Sequence, residues 1–210
     1  IGKQLFVHAG PDVVRRVQAS GADVFLDLKF HDIPNTVAAA GVESARLGVR
    51  IFNVHASGGL AMMERTVAEV GRVCRAERLR RPKIIAVTVL TSLEAADLKR
   101  GGVAGTVEAQ VVRLARLAQR AGLDGVVASP REVTRIRRAC GPDFLIVTPG
   151  VRPAGAEVHD QKRVATPGNA IASGADYLVV GRPVLAAPDP ITAANDIVSD
   201  MARGARLRRR

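Results

Sequence analysis

The segment DVFLDLKFHDIPNT, residues 23–36, carries an apolar run directly into three charged side chains. Asp27 and Lys29 are two positions apart, so a strand would place both side chains on the same face of a sheet. Asp32 lies just beyond, where the chain turns at DIPN. Charges at the end of a buried strand are costly unless they are paired, so we expect these three groups to bind one another.

Outside this segment, short β-branched runs alternate with longer helical patterns along the whole chain. Because each strand is followed by a helix, the strands should pair in parallel, and the predicted fold class is α/β. The six predicted strands are DVFLDLKF, RIFNVHA, KIIAVTVL, GVVAS, FLIVTPG and DYLVVGR. The predicted helices are PDVVRRVQASG, TVAAAGVESARLG, GLAMMERTVAEVGRVCRAERL, TVEAQVVRLARLAQRAG, PREVTRIRRACG, PGNAIASGA and DPITAANDIVSDMARGARL.

Two parallel architectures fit this alternation, an open doubly wound sheet and a closed (β/α)8 TIM barrel. A dinucleotide-binding sheet should have a Gly-rich turn after its first strand, and no G-x-G-x-x-G occurs. In a barrel, reactive side chains gather after the C-terminal ends of many strands. The pattern here is the second one, which also favours catalysis over a structural salt bridge for the charged cluster. The strand-end residues are Asp27, Lys29, Asp32, Asn53, His55, Thr88, Thr91, Ser129, Thr148, Arg152, Gly181 and Arg182.

The length of the chain bears on how much of a barrel is present. A (β/α)8 barrel typically needs about 250 residues, and this chain has 210 and begins inside a strand-like segment at Ile1. We therefore expect a TIM barrel lacking its N-terminal first strand and helix and most of its second strand. The predicted domains are a barrel over residues 1–203 and a basic C-terminal tail over residues 204–210.

Charge and composition exclude several classes of protein. The net charge is +11, but one Tyr and no Trp leave little surface for base stacking, so we expect no nucleic-acid partner. The apolar runs are too short to cross a bilayer and no signal pattern opens the chain, which predicts a cytoplasmic protein without membrane binding. Neither the two cysteines nor His8, His31 and His159 have metal-ligand spacing, so we predict no metal.

A second group of candidate residues lies near the C-terminus, in VTPGVRP, the polar loop that follows it, and VVGRP. In barrels, the loops after the last two strands commonly bind a phosphate group. Gly181 lets the backbone approach a ligand closely, and Arg182 offers a planar cation for phosphate oxygens. Gln161, midway along the loop, is placed to close over the same phosphate.

His55, in the motif NVHASGG, admits two interpretations. Histidine often acts as a general base. A strand-end histidine beside Ser57 and two glycines is as readily a packed, hydrogen-bonded wall residue. We favour the structural role.

Six motifs in this order and spacing resemble a known family. They are FLDLKFHDIPNT, NVHASGG, AVTVLTS, GLDGVVAS, VTPGVRP and VVGRPV, and together they resemble the bacterial-type orotidine 5′-monophosphate decarboxylases. The resemblance implies a (β/α)8-barrel homodimer with shared active sites. It also implies conversion of orotidine 5′-monophosphate to uridine 5′-monophosphate in pyrimidine biosynthesis, without metal or organic cofactor.

The resemblance assigns roles position by position. Asp27 corresponds to the carboxylate that faces the carboxylate of the substrate, and Lys29 to the proton donor to C6. Asp32 would reach into the active site of the partner subunit, and Thr36 would contact ribose across the dimer interface. Thr91 would lie at the pyrimidine and ribose. The phosphate-side positions are Arg152, Gln161, Gly181 and Arg182.

The first residues depart from the family pattern. A further lysine of the charged network ends the preceding strand there, in the context K-V-G-K-x-L-F. Here the chain opens IGKQLF, so that lysine would stand just before Ile1, and Lys3 aligns with the second, non-catalytic lysine. We therefore expect the chain as written to aggregate and to be essentially inactive, and a longer parent to be the active form.

Two alternatives remain open from the sequence. Sugar-phosphate decarboxylases and hexulose-phosphate synthases, an aldolase class of the same barrel superfamily, share a D-x-K-x-x-D core, although they usually bind a metal and lack HDIPNT. The chain could also be a catalytically dead, truncated relative that only binds or assembles.

Overall fold

The computed structural model describes residues 1–153 and 165–208. Its strands follow one another across the sheet in chain order, as predicted for repeated βα units. Each predicted strand contains an observed one, although every observed strand is shorter than predicted and the sixth has only two residues. The strands are β1 Phe25–Phe30, β2 Ile51–His55, β3 Lys83–Val87, β4 Gly125–Val127, β5 Leu145–Thr148 and β6 Tyr177–Leu178.

Helices connect the strands throughout the described part of the chain. The seven predicted helices are all present, and three short ones, α1, α5 and α9, were not predicted. A single 3-10 turn, Ala56–Gly58, follows β2. The helices are α1 Lys3–Ala9, α2 Asp12–Ala19, α3 Pro34–Arg46, α4 Leu60–Ala76, α5 Ala95–Arg100, α6 Val107–Arg120, α7 Val133–Cys140, α8 Pro167–Ala172, α9 Arg182–Leu185 and α10 Pro190–Arg208.

The chain divides into two compact units, and the candidate residues fall into both. The first unit contains β1, β2 and β3, which pair in parallel. The second contains β5 and β6, also parallel. The units are Ile1–Val87 with Leu114–Gly125, and Thr88–Arg113 with Val126–Arg210.

The first two residues of the chain lie beside β1. The Asp27 N–H donates to the Ile1 carbonyl at 2.9 Å, and Gly2 forms a parallel bridge with Asp27. Helix α1 begins at the next residue, Lys3. The chain was predicted to begin at the end of a strand, and the pairing of its first two residues with β1 agrees with this.

Helix α3 fixes the segment that follows β1. It begins at Pro34. Proline lacks a backbone N–H, but at the start of a helix that N–H would have had no helical partner in any case. Its buried residues recur every three to four positions, so one face packs against α4. At Gly41 the packing is so close that a Cβ would lie 3.0 Å from the Val70 side chain of α4 and 3.1 Å from the Phe52 side chain of β2. The turn between β1 and α3 is thereby anchored at its C-terminal end.

Helix α10 packs against α8 in the second unit. The Gly168 N–H donates to the Asp200 carboxylate at 2.7 Å. One turn further along α10, a Cβ on Gly204 would lie only 2.1 Å from the Gly168 carbonyl oxygen. The two helices therefore meet backbone to backbone. Helix α10 continues to Arg208, within the segment predicted as a tail, and the domain boundary after residue 203 stays a prediction.

Gly204→Ala should destabilise the protein by about 1–3 kcal/mol, because the added methyl group must displace backbone rather than a flexible side chain. Gly71→Ala is the matched control, since Gly71 is also a buried helical glycine but its Cβ would lie 3.4 Å from the Arg75 side chain. Both changes gain the same helix propensity. Urea denaturation should show a lower midpoint for Gly204→Ala alone. Equal midpoints for the two variants would contradict the contact.

Candidate active site

Asp27 and Lys29 form an ion pair at the end of β1. The Lys29 Nζ lies 2.6 Å from Asp27 Oδ1, and about a quarter of each side chain is exposed. The predicted pairing of these two residues is confirmed. The regular strand alternation used to predict it is wrong, because Lys29 has a φ of 55° and the register between β1 and β2 shifts after Leu26.

Asn53 of β2 completes this cluster. Its side chain is fully buried, and its Nδ2 donates to Asp27 Oδ1 at 2.6 Å. Its Oδ1 accepts the backbone N–H of Lys29 at 2.8 Å. Asn53 was predicted at a strand end but without a role. Its place at the end of the neighbouring strand was the only sequence signal, and the register that sets it beside Asp27, in which Leu26 pairs with Phe52, is visible only in the structure.

Asp32 and Thr36 lie apart from the ion pair. The Asp32 carboxylate is exposed and accepts the N–H of Ile33 at 2.6 Å. Within the described ranges of this chain it lies beyond ion-pair distance of Lys29, so mutual pairing of all three charges in one chain is wrong. Thr36 is exposed in the first turn of α3. A shallow cleft of about 540 Å³ adjoins Asp32 and is lined by His31, Asp32, Ile33, Pro34, Ser57 and Gly58.

His55 is neutral at neutral pH. Burial, followed by the nearby His31 and the positive charges of Lys3 and Lys29, lowers the pKa of His55 to about 4. The rings of His31 and His55 lie 5.3 Å apart. A pKa so far below 7 makes the imidazole a weak base, which favours the structural role predicted for it.

The remaining candidate residues lie in the second unit, except that Gln161 is outside the described residues. Thr91 is half-buried in the segment after β3. Arg152 is buried, and its Nη1 donates to the Val151 carbonyl at 2.8 Å. Gly181 immediately precedes α9, and a Cβ there would meet no atom of residues 1–153 or 165–208 within 4 Å. Arg182, the first residue of α9, is exposed.

Two further properties concern metals and membranes. Among residues 1–153 and 165–208, no three His, Cys, Asp or Glu side chains are grouped so that they could hold a metal ion. Over the same residues, no helix combines the length and the apolar character that crossing a bilayer requires.

Comparison with known proteins gives consistent matches over nearly the whole chain. A model of the Orotidine 5′-phosphate decarboxylase / HUMPS family matches residues 1–197. A protein of Geobacter sulfurreducens named orotidine 5′-phosphate decarboxylase is 57% identical over 204 residues, which is 97% of this chain and 84% of that protein. A protein of the same name from Syntrophotalea carbinolica is 59% identical over 202 residues, 96% of this chain and 83% of its own length.

A solved structure extends this likeness to the fold. The crystal structure of orotidine 5′-phosphate decarboxylase from Lactobacillus acidophilus superimposes with a TM-score of 0.83 at 38% sequence identity. The match covers 96% of this chain and 85% of the other. With the chain-ordered parallel strands, it confirms the predicted TIM-barrel fold class.

Proposed function

The chain belongs to the Orotidine 5′-phosphate decarboxylase / HUMPS family, and on this premise we propose that it converts orotidine 5′-monophosphate to uridine 5′-monophosphate in pyrimidine biosynthesis. The observation that carries the proposal is an identity of 57–59% to two relatives named for this reaction. The reaction makes the protein a carboxy-lyase. The Asp27–Lys29 pair at the end of β1 supplies the groups that the chemistry requires.

The chemistry explains why an ammonium is needed at this place. Loss of carbon dioxide from C6 of the pyrimidine leaves a carbanion that the ring does not stabilise. An ammonium fixed beside that carbon offsets the developing negative charge and can deliver a proton to it. Lys29 supplies the ammonium, and Asp27, 2.6 Å away, holds it in place and faces the substrate carboxylate. No step requires a metal or an organic cofactor.

Binding of the substrate is assigned to other residues. Arg152, Gly181 and Arg182 would bind the phosphate together with Gln161, and Thr91 would contact the pyrimidine and ribose. The exposed side chain of Arg182, and the space that the described residues leave beside Gly181, support this assignment. Binding of the phosphate group, which does not react, supplies binding energy that can be used to position the pyrimidine ring.

We assign the active form to a homodimer with two shared sites. Asp32 is exposed and bonded only to its neighbour's N–H within the described chain, so its carboxylate is available to a second subunit. Ile33, beside it, is also exposed, so a partner subunit at Asp32 would cover an apolar side chain as well. Thr36 would contact ribose across the same interface. The protein is assigned to the cytoplasm, with no nucleic-acid or membrane partner.

The family description also covers a second activity, abbreviated HUMPS. The sugar-phosphate enzymes of that group share the D-x-K-x-x-D core that Asp27, Lys29 and Asp32 form. The relatives with 57–59% identity carry the name of the other activity, so the sugar-phosphate alternative is not favoured.

The function predicts metal-independent turnover of orotidine 5′-monophosphate by the product of the complete gene. Loss of the orotate absorbance should proceed at the same rate with and without a chelator. A hexulose phosphate, tested in parallel with added magnesium, should not react. Folded, dimeric protein that leaves orotidine 5′-monophosphate unchanged would contradict the assignment.

A further inference from the structure

We propose that Asn53 is a positioning residue of this active site, which sets both the Asp27 carboxylate and the Lys29 backbone through one carboxamide. The inference rests on the proposed function, because the geometry it maintains serves the decarboxylation. Asn53 acts through its two neighbours and need not touch the substrate. Three features of β1 and β2 support the proposal.

The first feature is the pair of hydrogen bonds made by the Asn53 side chain. Nδ2 donates to Asp27 Oδ1 at 2.6 Å, and this same oxygen accepts the Lys29 ammonium at 2.6 Å. Oδ1 of Asn53 accepts the Lys29 backbone N–H at 2.8 Å. A rotated carboxamide would set oxygen against carboxylate and NH₂ against N–H, so the neighbours fix its orientation. Leucine, of similar size, offers neither bond.

The second feature is a local irregularity of β1. Leu26 pairs with Phe52 and Phe30 pairs with Val54, so β1 uses four residues to cover a distance that β2 covers with two. The bulge interrupts the backbone hydrogen bonds of the strand pair, as such insertions do. Asn53 lies opposite the bulge, and its side-chain oxygen accepts the Lys29 N–H. Regular alternation would have turned this N–H away from β2, as it turns the Asp27 N–H toward Ile1.

The third feature is the backbone conformation of Lys29. Its φ of 55° lies in the left-handed region, which residues with a Cβ rarely adopt. Such conformations persist where the surroundings hold them, and they cluster at functional sites. The hydrogen bond from the Lys29 N–H to the Asn53 side chain stabilises this conformation directly, because the donor is the Lys29 backbone itself. The left-handed turn brings the ammonium back onto Asp27, two residues earlier in the chain.

The expected effect of Asn53→Ala is a loss of chemistry without a matching loss of binding. Without the carboxamide, Lys29 loses the partner of its N–H and Asp27 loses one of two donors. We expect kcat to fall by about 10- to 100-fold, as small displacements of catalytic groups commonly cause. KM should stay within about threefold, because the phosphate-binding residues are elsewhere in the chain.

Thr66→Ala is the matched control for buried polar side chains. Thr66 is as buried as Asn53, and its Oγ1 donates to the Met62 carbonyl within α4. It lies on another element and makes no bond to Asp27 or Lys29. We expect its kcat to equal that of the wild type, whatever stability it loses. An equal fall of kcat in Thr66→Ala and Asn53→Ala would overturn the proposal.

Asn53→Asp separates the two bonds and retains the size of the side chain. It keeps an acceptor for the Lys29 N–H but replaces the donor to Asp27 with a second carboxylate. Its kcat should fall at least as far as that of Asn53→Ala. A wild-type kcat in this variant overturns the proposal, even if Asn53→Ala fails to fold.

Amide hydrogen exchange at Lys29 tests the structural half of the proposal without any substrate. Exchange should be faster by about tenfold or more in Asn53→Ala and unchanged in Asn53→Asp, because only the alanine variant removes the acceptor of this N–H. The measurement holds even if the protein does not decarboxylate orotidine 5′-monophosphate, so the two hypotheses fail separately. Wild-type exchange at Lys29 in Asn53→Ala would show that the side chain does not hold this backbone.

Discussion

Replacing Lys29 with alanine should abolish decarboxylation while leaving the product, uridine 5′-monophosphate, bound. In the proposed mechanism the ammonium both stabilises the carbanion and carries the proton, so its removal would take away two contributions together. General acid catalysis and electrostatic stabilisation each contribute about 100-fold or more, so kcat should fall by at least about 10⁴-fold. Absorbance assays give kcat, and calorimetry gives the product Kd.

Arg182→Ala is the counterpart that separates binding from chemistry. Arg182 is exposed at the start of α9 and carries no part of the Asp27–Lys29 pair. Loss of the Arg182 side chain should chiefly raise KM, with a smaller fall in kcat if phosphate binding helps to position the ring.

For Lys29→Ala, a near-normal kcat would show that Lys29 is not the proton donor.

If the active form is the proposed homodimer with shared sites, mixing two inactive variants, Lys29→Ala and Asp32→Ala, should restore activity from almost nothing to about one quarter of the wild-type value. Each site would combine Lys29 of one subunit with Asp32 of the other. Random exchange makes half of the dimers mixed, and a mixed dimer has one site with both residues intact and one with both replaced. Activity measured after subunit exchange gives the recovered fraction.

Asp27→Ala mixed with Lys29→Ala is the matched control for this experiment. Asp27 and Lys29 are 2.6 Å apart in the same chain, so every site receives both from one subunit. No mixed dimer then has an intact site, and no activity should return. Subunit exchange demonstrated with labelled chains, but without recovery in the Lys29→Ala and Asp32→Ala mixture, would exclude shared sites.

The sequence predicted the strands and the charged pair because both depend on local patterns. The β-branched runs mark all six strands, and Asp27 and Lys29 are close in sequence, so almost any geometry at the end of β1 lets them meet. Asn53 escaped prediction because its role depends on a bulge, and the register between β1 and β2 joins residues 24 positions apart. The residues around Lys29 do not predict its positive φ, because this backbone conformation is found more often at Gly or Asn.

The three helices that were missed have a related cause. Helix α9 is four residues long and α5 is six, which leaves little sequence over which an apolar period can appear. Helix α1 buries none of its residues, so the amphipathic pattern that identifies surface helices is absent from it. Asp32 was expected in the charged cluster because it is near in sequence, but the turn into α3 carries it to the surface.

The contact between Gly168 and Gly204 limits what correlated substitutions can reveal about this fold. A side chain on Gly204 would strike the carbonyl oxygen of Gly168, an atom that every amino acid possesses, and a side chain on Gly168 would meet Asp200 at 2.8 Å. No replacement at one glycine can therefore compensate for a replacement at the other. Contact inference from covariation depends on such compensation, so this backbone contact between α8 and α10 would leave no covariation signal in an alignment.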